Sequence, residues 1–116
     1  MKHRKKNRKF GRAADYRKRF LWTLSSNLIL KEKIETTEAR AKEIRKTTER
    51  AITRAKRDTL ANRRFLLKFM PVKPVNKLFK ELSPRFKERK GGYTRIIKMN
   101  TRKNDSAKMV LIELIK

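Results

Sequence analysis

The stretch KIETTEARAKEIRKTTERAITRAKR, residues Lys33 to Arg57, decides the fold because its periodicity changes partway along. Lys33 to Thr37 is short and alternating, the pattern of a strand. Thr37 is then a good helix N-cap, and Glu38 in the first turn suits the positive end of the helix dipole. Ala41, Ile44, Thr48, Ala51, Ile52 and Ala55 follow on one stripe, which predicts a helix over roughly residues 38–57. The remaining face is charged: Arg40, Lys42, Glu43, Arg45, Lys46, Glu49, Arg50, Arg54 and Lys56. Mixed signs three and four residues apart suit an exposed, salt-bridged helix.

Outward from this stretch, the C-terminal third also has a period of two. Tyr93 to Met99 and Met109 to Ile115 are rich in Tyr, Ile, Val and Leu, and polar residues Asn100 to Lys108 separate them. They predict an antiparallel hairpin with an unusually long loop, to which Ile34–Thr36 adds a third strand. Upstream, from about Ala14, Phe20, Leu24 and Leu28, joined by Tyr16 and Leu21, define the apolar face of a helix. Downstream, Asp58 or Thr59 caps a helix from Leu60 to Met70 that Pro71 ends. Pro74 fits the first turn of another short helix, with Val75, Leu78, Phe79 and Leu82 inward, and Ser83-Pro84 breaks it. The expected fold is α+β in two layers, helices packed on a small three-stranded mixed β-sheet, with a basic N-terminal extension. Residues 1–12 form the arm and residues 13–116 a single compact domain.

Lys and Arg number 36 against 11 Asp and Glu, a net charge of +25 on 116 residues. Such an excess opposes its own compaction unless a dense polyanion neutralises it. Cysteine is absent, which excludes disulfides and fits a reducing cytoplasm. The single histidine, His3, lies in a basic run and makes no metal site by itself. No apolar run approaches the ~20 residues of a membrane span, so a soluble, cytoplasmic chain is expected. Phosphate loops, nucleophile elbows and His-Glu zinc motifs are all missing, and the serines lack a plausible base. The expectation is a non-enzyme with no cofactor, no metal and no small-molecule substrate.

The basic signals divide into three sites. The arm offers Lys2, Arg4, Lys5, Lys6, Arg8, Lys9 and Arg12 to phosphates, while His3 and Phe10 can stack on unpaired bases. A localisation signal or a membrane-surface patch has the same composition. The second site is Asn62-Arg63-Arg64, whose adjacent arginines diverge by ~100° on a helix and so suit two separate phosphates. A solvated helix edge would look alike. The third is Ser83 to Arg95, where Arg85, Lys87, Arg89, Lys90 and Arg95 surround Gly91-Gly92, with hydroxyls from Tyr93 and Thr94. Paired glycines let a backbone approach closely and present its amides to a phosphate, although an ordinary helix-to-strand turn also uses them.

Taken together, these segments resemble the bacterial large-subunit ribosomal protein L17 family. Lys2-His3-Arg4-Lys5, with Arg8, Arg12 and Arg17 downstream, is similar to its N-terminal signature. Thr36-Thr37, Arg40-Ala41-Lys42-Glu43, Ile52-Thr53 and Ala55-Lys56 before Asp58 are similar to its central motif, and Ala61-Asn62-Arg63-Arg64 follows at the family's spacing. Leu78-Phe79, Glu81-Leu82, Pro84-Arg85-Phe86, Arg89 and Gly91 to Ile96 complete the match, with Glu113-Leu114 in the last strand. Phe65 to Val75 departs from the pattern, and no contacts are carried over to it. The resemblance implies a structural constituent of the large ribosomal subunit that binds 23S ribosomal RNA near the outer side of the peptide exit tunnel, beside neighbouring large-subunit proteins and away from membranes. The RNA-binding set it supports is His3, Arg4, Lys5, Arg8, Arg12, Arg17, Arg63, Arg64, Arg85, Arg89, Gly91, Gly92, Tyr93, Thr94 and Arg95. A nucleoid-type DNA-binding protein is the runner-up, although no recognition helix or paired half-site arrangement is apparent. A cationic membrane-surface protein is third, disfavoured by the acids among the bases of Glu38 to Arg57.

Overall fold

A computed structural model of the chain describes residues 14–101 and 105–116. Helix α1 (Ala14–Lys31) leads into strand β1 (Lys33–Thr37), which passes directly into helix α2 (Glu38–Ala55). Helices α3 (Leu60–Phe69) and α4 (Val72–Lys77) follow, and strands β2 (Thr94–Lys98) and β3 (Met109–Leu114) close the fold. The strand-to-helix switch falls at Thr37 as the period change requires: Thr37 is extended, and its side-chain oxygen accepts from the Arg40 amide at 3.4 Å. At α3 the cap is Thr59, which accepts from the Asn62 amide at 3.2 Å. Met70 is extended before Pro71, since a residue preceding proline avoids helical backbone.

Every strand pairing is antiparallel, in the order β1-β3-β2, so the expected mixed sheet is corrected. β3 lies in the middle, and β1 and β2, which run the same way, do not pair with each other. Strand β3 alternates, with Val110, Ile112 and Leu114 buried and the residues between them part-exposed. The register places Ile34, Ile112 and Ile96 in one row across the sheet. Against that face lie Ile44, Ala51, Ile52 and Ala55 of α2, all nearly or fully buried, with Leu28 and Ile29 of α1 in the same core. The α2 stripe is therefore the seam of both layers.

Two expectations for the helices are corrected. The buried stripe of α1 includes Ser25 and Ser26, while Tyr16 is 56% exposed. Ser26 tolerates burial because its hydroxyl donates to the Trp22 carbonyl at 2.8 Å. Nor does Ser83-Pro84 break the last helix. Residues Leu78–Leu82 widen into a π-helical turn, and a helical turn continues through Ser83–Arg85. The Ser83 amide donates to the Leu78 carbonyl, five residues back. The wider turn shifts the hydrogen-bond register just where Pro84, lacking an N–H, could not have kept it. Val75, Leu78, Phe79 and Leu82 all face inward, as their spacing predicts.

Glu32 joins α1 to β1 in left-handed backbone, φ +65°. Its carboxylate meets Lys77 at 3.1 Å and Arg85 at 2.5 Å, and its carbonyl accepts from the Leu114 amide at 2.8 Å. Lys77 also donates to the Leu30 carbonyl at 3.0 Å, capping the C-terminal end of α1. One junction thus ties the first helix, the last helix and the end of the central strand.

Candidate nucleic-acid interface

Three helices and the glycine turn enclose an open groove of about 1470 Å³. Its floor is apolar and aromatic, with Trp22 from α1 and Phe65 and Phe69 from α3. Trp22 stacks on Phe69 at 5.0 Å and 10°, and Phe65 meets Phe69 edge-on at 5.2 Å. The rim is cationic. Arg17 and Lys18 come from α1, Lys46, Arg50 and Arg54 from α2, and Arg57 and Lys90 from the loops that follow. Lys18 lies 4.8 Å from the Phe69 ring centroid and Arg54 lies 3.7 Å from that of Phe65. Among the described residues, no carboxylate pairs within 4.0 Å with Arg17, Arg50, Arg54 or Arg57.

The mixed signs of α2 predict a salt-bridged surface and do not single out the α2 cations of this rim. Their signal was present in the sequence: Lys46, Arg50, Arg54 and Arg57 are spaced four, four and three apart, a one-sided stripe. Of the helix acids, Glu43 and Glu49 also line the groove, but among the described residues neither pairs with these arginines. Glu38 pairs with Lys42 at 3.0 Å, and Glu49 accepts from the Thr94 hydroxyl at 2.9 Å. Glu43 is buried and reaches Lys46 at only 3.7 Å.

The glycine turn is built from inside the fold. Tyr93 is fully buried, its ring 5.1 Å from that of Phe86. Its hydroxyl accepts from Lys56 Nζ at 3.1 Å and Thr53 Oγ1 at 3.3 Å, and donates to the Arg89 carbonyl at 3.3 Å. Lys56 Nζ donates to that same carbonyl, and Arg89 closes the loop on the Gly92 carbonyl at 3.1 Å. A Cβ at either glycine would meet nothing within 4 Å, but Gly92 alone of the two has a left-handed backbone, φ +63°. The turn needs one glycine for its backbone, and Gly91 lies exposed beside the groove.

The arginines predicted from the sequence fall into two groups. Arg63 binds both oxygens of Asp58, at 2.7 and 3.1 Å, and covers the Phe79 ring at 4.4 Å. Arg85 pairs with Glu32, and Arg95 pairs across the sheet with Glu113 at 2.6 Å. These three are occupied within the protein. The Arg85 hydrogen bond foremost holds Glu32 down at about 2, and that of Arg63 lowers Asp58 in the same way. Tyr93 and Thr94 likewise have their hydroxyls engaged internally. Arg17, Arg64 and Arg89 carry no carboxylate partner among the described residues, and Arg17 reaches the groove rim. His3, Arg4, Lys5, Arg8 and Arg12 lie outside the described residues.

Fold and groove together define the class: a small basic α+β protein whose groove gathers cations without carboxylate partners among the described residues beside aromatic rings. Comparison with known proteins is specific. The sequence profile of the family described as "Ribosomal protein L17" matches residues 20–115. The chain is similar to a protein of Fusobacterium nucleatum named "Large ribosomal subunit protein bL17", 52% identical over 116 residues, covering 99% of this chain and 100% of that one. Proteins of the same name from Ligilactobacillus salivarius and Hydrogenobaculum sp. are 48% and 47% identical, covering 93% and 99% of this chain and 97% and 99% of their own lengths. The chain belongs to the ribosomal protein L17 family.

Proposed function

We propose that this chain is built into the large ribosomal subunit and clamps folded 23S ribosomal RNA in the groove between α1, α2 and α3. Membership of the family makes it a non-enzymatic, structural ribosomal component with RNA and protein neighbours. The observation that carries the RNA reading is the convergence of Arg17, Arg50, Arg54 and Arg57 on one groove without acidic partners among the described residues. Desolvated next to one another, these charges would repel; phosphates remove the conflict. Arg63, Arg85 and Arg95 then act at one remove, fixing helix ends and strands, while Tyr93 and Thr94 hold the glycine turn. The basic N-terminal sequence Lys2 to Arg12 offers further phosphate contacts in this reading. A position near the outer side of the peptide exit tunnel belongs to this reading.

Co-sedimentation tests it. The chain should remain with large subunits after a wash at about 0.5 M salt, where loosely held polycations leave. In competition, ribosomal RNA should displace the protein from plain duplex DNA at matched phosphate concentration. Recovery in the ribosome-free fraction, or a preference for duplex DNA, would overturn the proposal.

A further inference from the structure

We infer that the groove contains a stacking site for a single unpaired nucleobase, formed by the outer face of the Arg54 guanidinium; this rests on the RNA-binding reading above. Arg54 Cζ lies 3.7 Å from the centroid of Phe65, the separation of a flat stack. An edge of the guanidinium is fixed as well, since it donates to Asn62 Oδ1 at 3.3 Å. Asn62 is held in turn, donating through Nδ2 to the Arg57 carbonyl at 2.9 Å and through its amide to Thr59 Oγ1 at 3.2 Å. Behind Phe65, the edge-on Phe69 and the Trp22 stacked upon it keep the ring from yielding. One planar cation is therefore presented in one orientation, with one face on a ring and the residue exposed at the groove.

Arg63 makes the contrast. It too covers a ring, but Asp58 neutralises it through both oxygens, and it is absent from the groove lining. Arg54 has no carboxylate within 4.0 Å among the described residues and is exposed. Unstacked RNA bases are commonly held on arginine planes, whereas bases inside a continuous duplex have no face to offer. The groove, at about 1470 Å³, exceeds the ~300–1,000 Å³ of a small-molecule pocket and suits a stretch of chain. Arg50 and Arg57, one turn either way along the same stripe, are placed for the phosphates that flank the stacked base.

Two RNA hairpins with equal numbers of phosphates test the inference with the full chain. One is fully paired, and the other carries a single bulged 2-aminopurine. The wild-type protein should prefer the bulged hairpin by about tenfold, the scale of one stacked base, and should quench its fluorescence. Arg54→Lys keeps the charge but loses the plane. Its affinity for the bulged hairpin should fall to that for the paired one, and 2-aminopurine should stay bright. Phe65→Leu, which removes the backing ring, should act likewise, with the emission of Trp22, the single tryptophan, reporting that the fold is intact. Equal wild-type affinity for both hairpins, or a preference that survives Arg54→Lys, would overturn the stacking site and leave phosphate binding standing. Binding to neither hairpin would overturn both readings.

Discussion

Glu32 occupies a backbone position that usually goes to glycine, and two cations explain why a glutamate is there. Its φ of +65° costs strain that ion pairs with Lys77 and Arg85 offset. The hydrogen bond from Arg85 is the largest cause of a carboxyl pKa of about 2, against 4.5 ordinarily. A carboxylate lowered on folding stabilises the protein above the unfolded value, and that stability is lost as pH falls through the folded one. Urea denaturation should therefore show wild-type stability declining between about pH 4.5 and 2, with the decline smaller in Glu32→Gln. At neutral pH, Glu32→Gln should cost about 1 kcal/mol, because the site is part-exposed and solvent screens it. Gly92 is a second position of this kind. Gly92→Ala should cost about 1 kcal/mol for its left-handed backbone, whereas Gly91→Ala should stay within about 0.5 kcal/mol. Equal losses at the two glycines would contradict the geometry of the turn. Sequence could nominate the pair but not separate its members, because φ is set by the Tyr93–Lys56–Arg89 network around them.

Helix α2 serves both layers, and its faces have distinct tasks. Ala41, Ile44, Ala51, Ile52 and Ala55 are buried, and this face followed directly from the spacing of apolar residues. The stripe of Lys46, Arg50, Arg54 and Arg57 did not, because a list of exposed charges loses their direction. Acids sit nearer the start of α2 and unpaired arginines nearer its end, a polarity that the helix dipole also favours. If the stripe meets phosphates, each arginine removed should lower the slope of log affinity against log salt by roughly 0.7–0.9. The double variant Arg50→Ala/Arg57→Ala, titrated with ribosomal RNA at several salt concentrations, should show both decrements. Arg63→Ala should instead lower stability while leaving that slope nearly unchanged, since Asp58 already neutralises its charge. The last helix gives an opposite lesson. Ser83-Pro84 carries a strong breaking signal, yet the π-helical turn before it moves the register past the missing amide.

For the whole molecule, a net charge of +25 makes the isolated fold a self-repelling body around a small core. Added salt should raise its melting temperature while weakening its hold on RNA. Thermal unfolding between about 0.05 and 0.5 M salt, followed by the emission of Trp22, checks the first half. A melting temperature indifferent to salt would mean that internal pairs such as Arg85–Glu32 and Arg95–Glu113 had already removed the repulsion. Among the described residues no helix is long and apolar enough to cross a membrane.

Sequence alone determined the elements, because apolar periodicity and capping chemistry are local: the switch at Thr37, the α2 core face and the two alternating C-terminal strands. It also determined that the partner is a polyanion, since no pairing of 11 acids can neutralise 36 bases. Tertiary structure decided which bases remain free. Glu32 and Glu113 claim Arg85 and Arg95 across 53 and 18 residues, separations that only the fold closes, while Asp58 claims Arg63 locally, five residues on. It likewise decided that β1 pairs with β3 in the middle of an antiparallel sheet, and that the stripe of α2 faces the aromatic rings of α1 and α3. Charge is additive along a chain, but its neutralisation depends on distance in space, and so the candidate interface is visible only in the folded molecule.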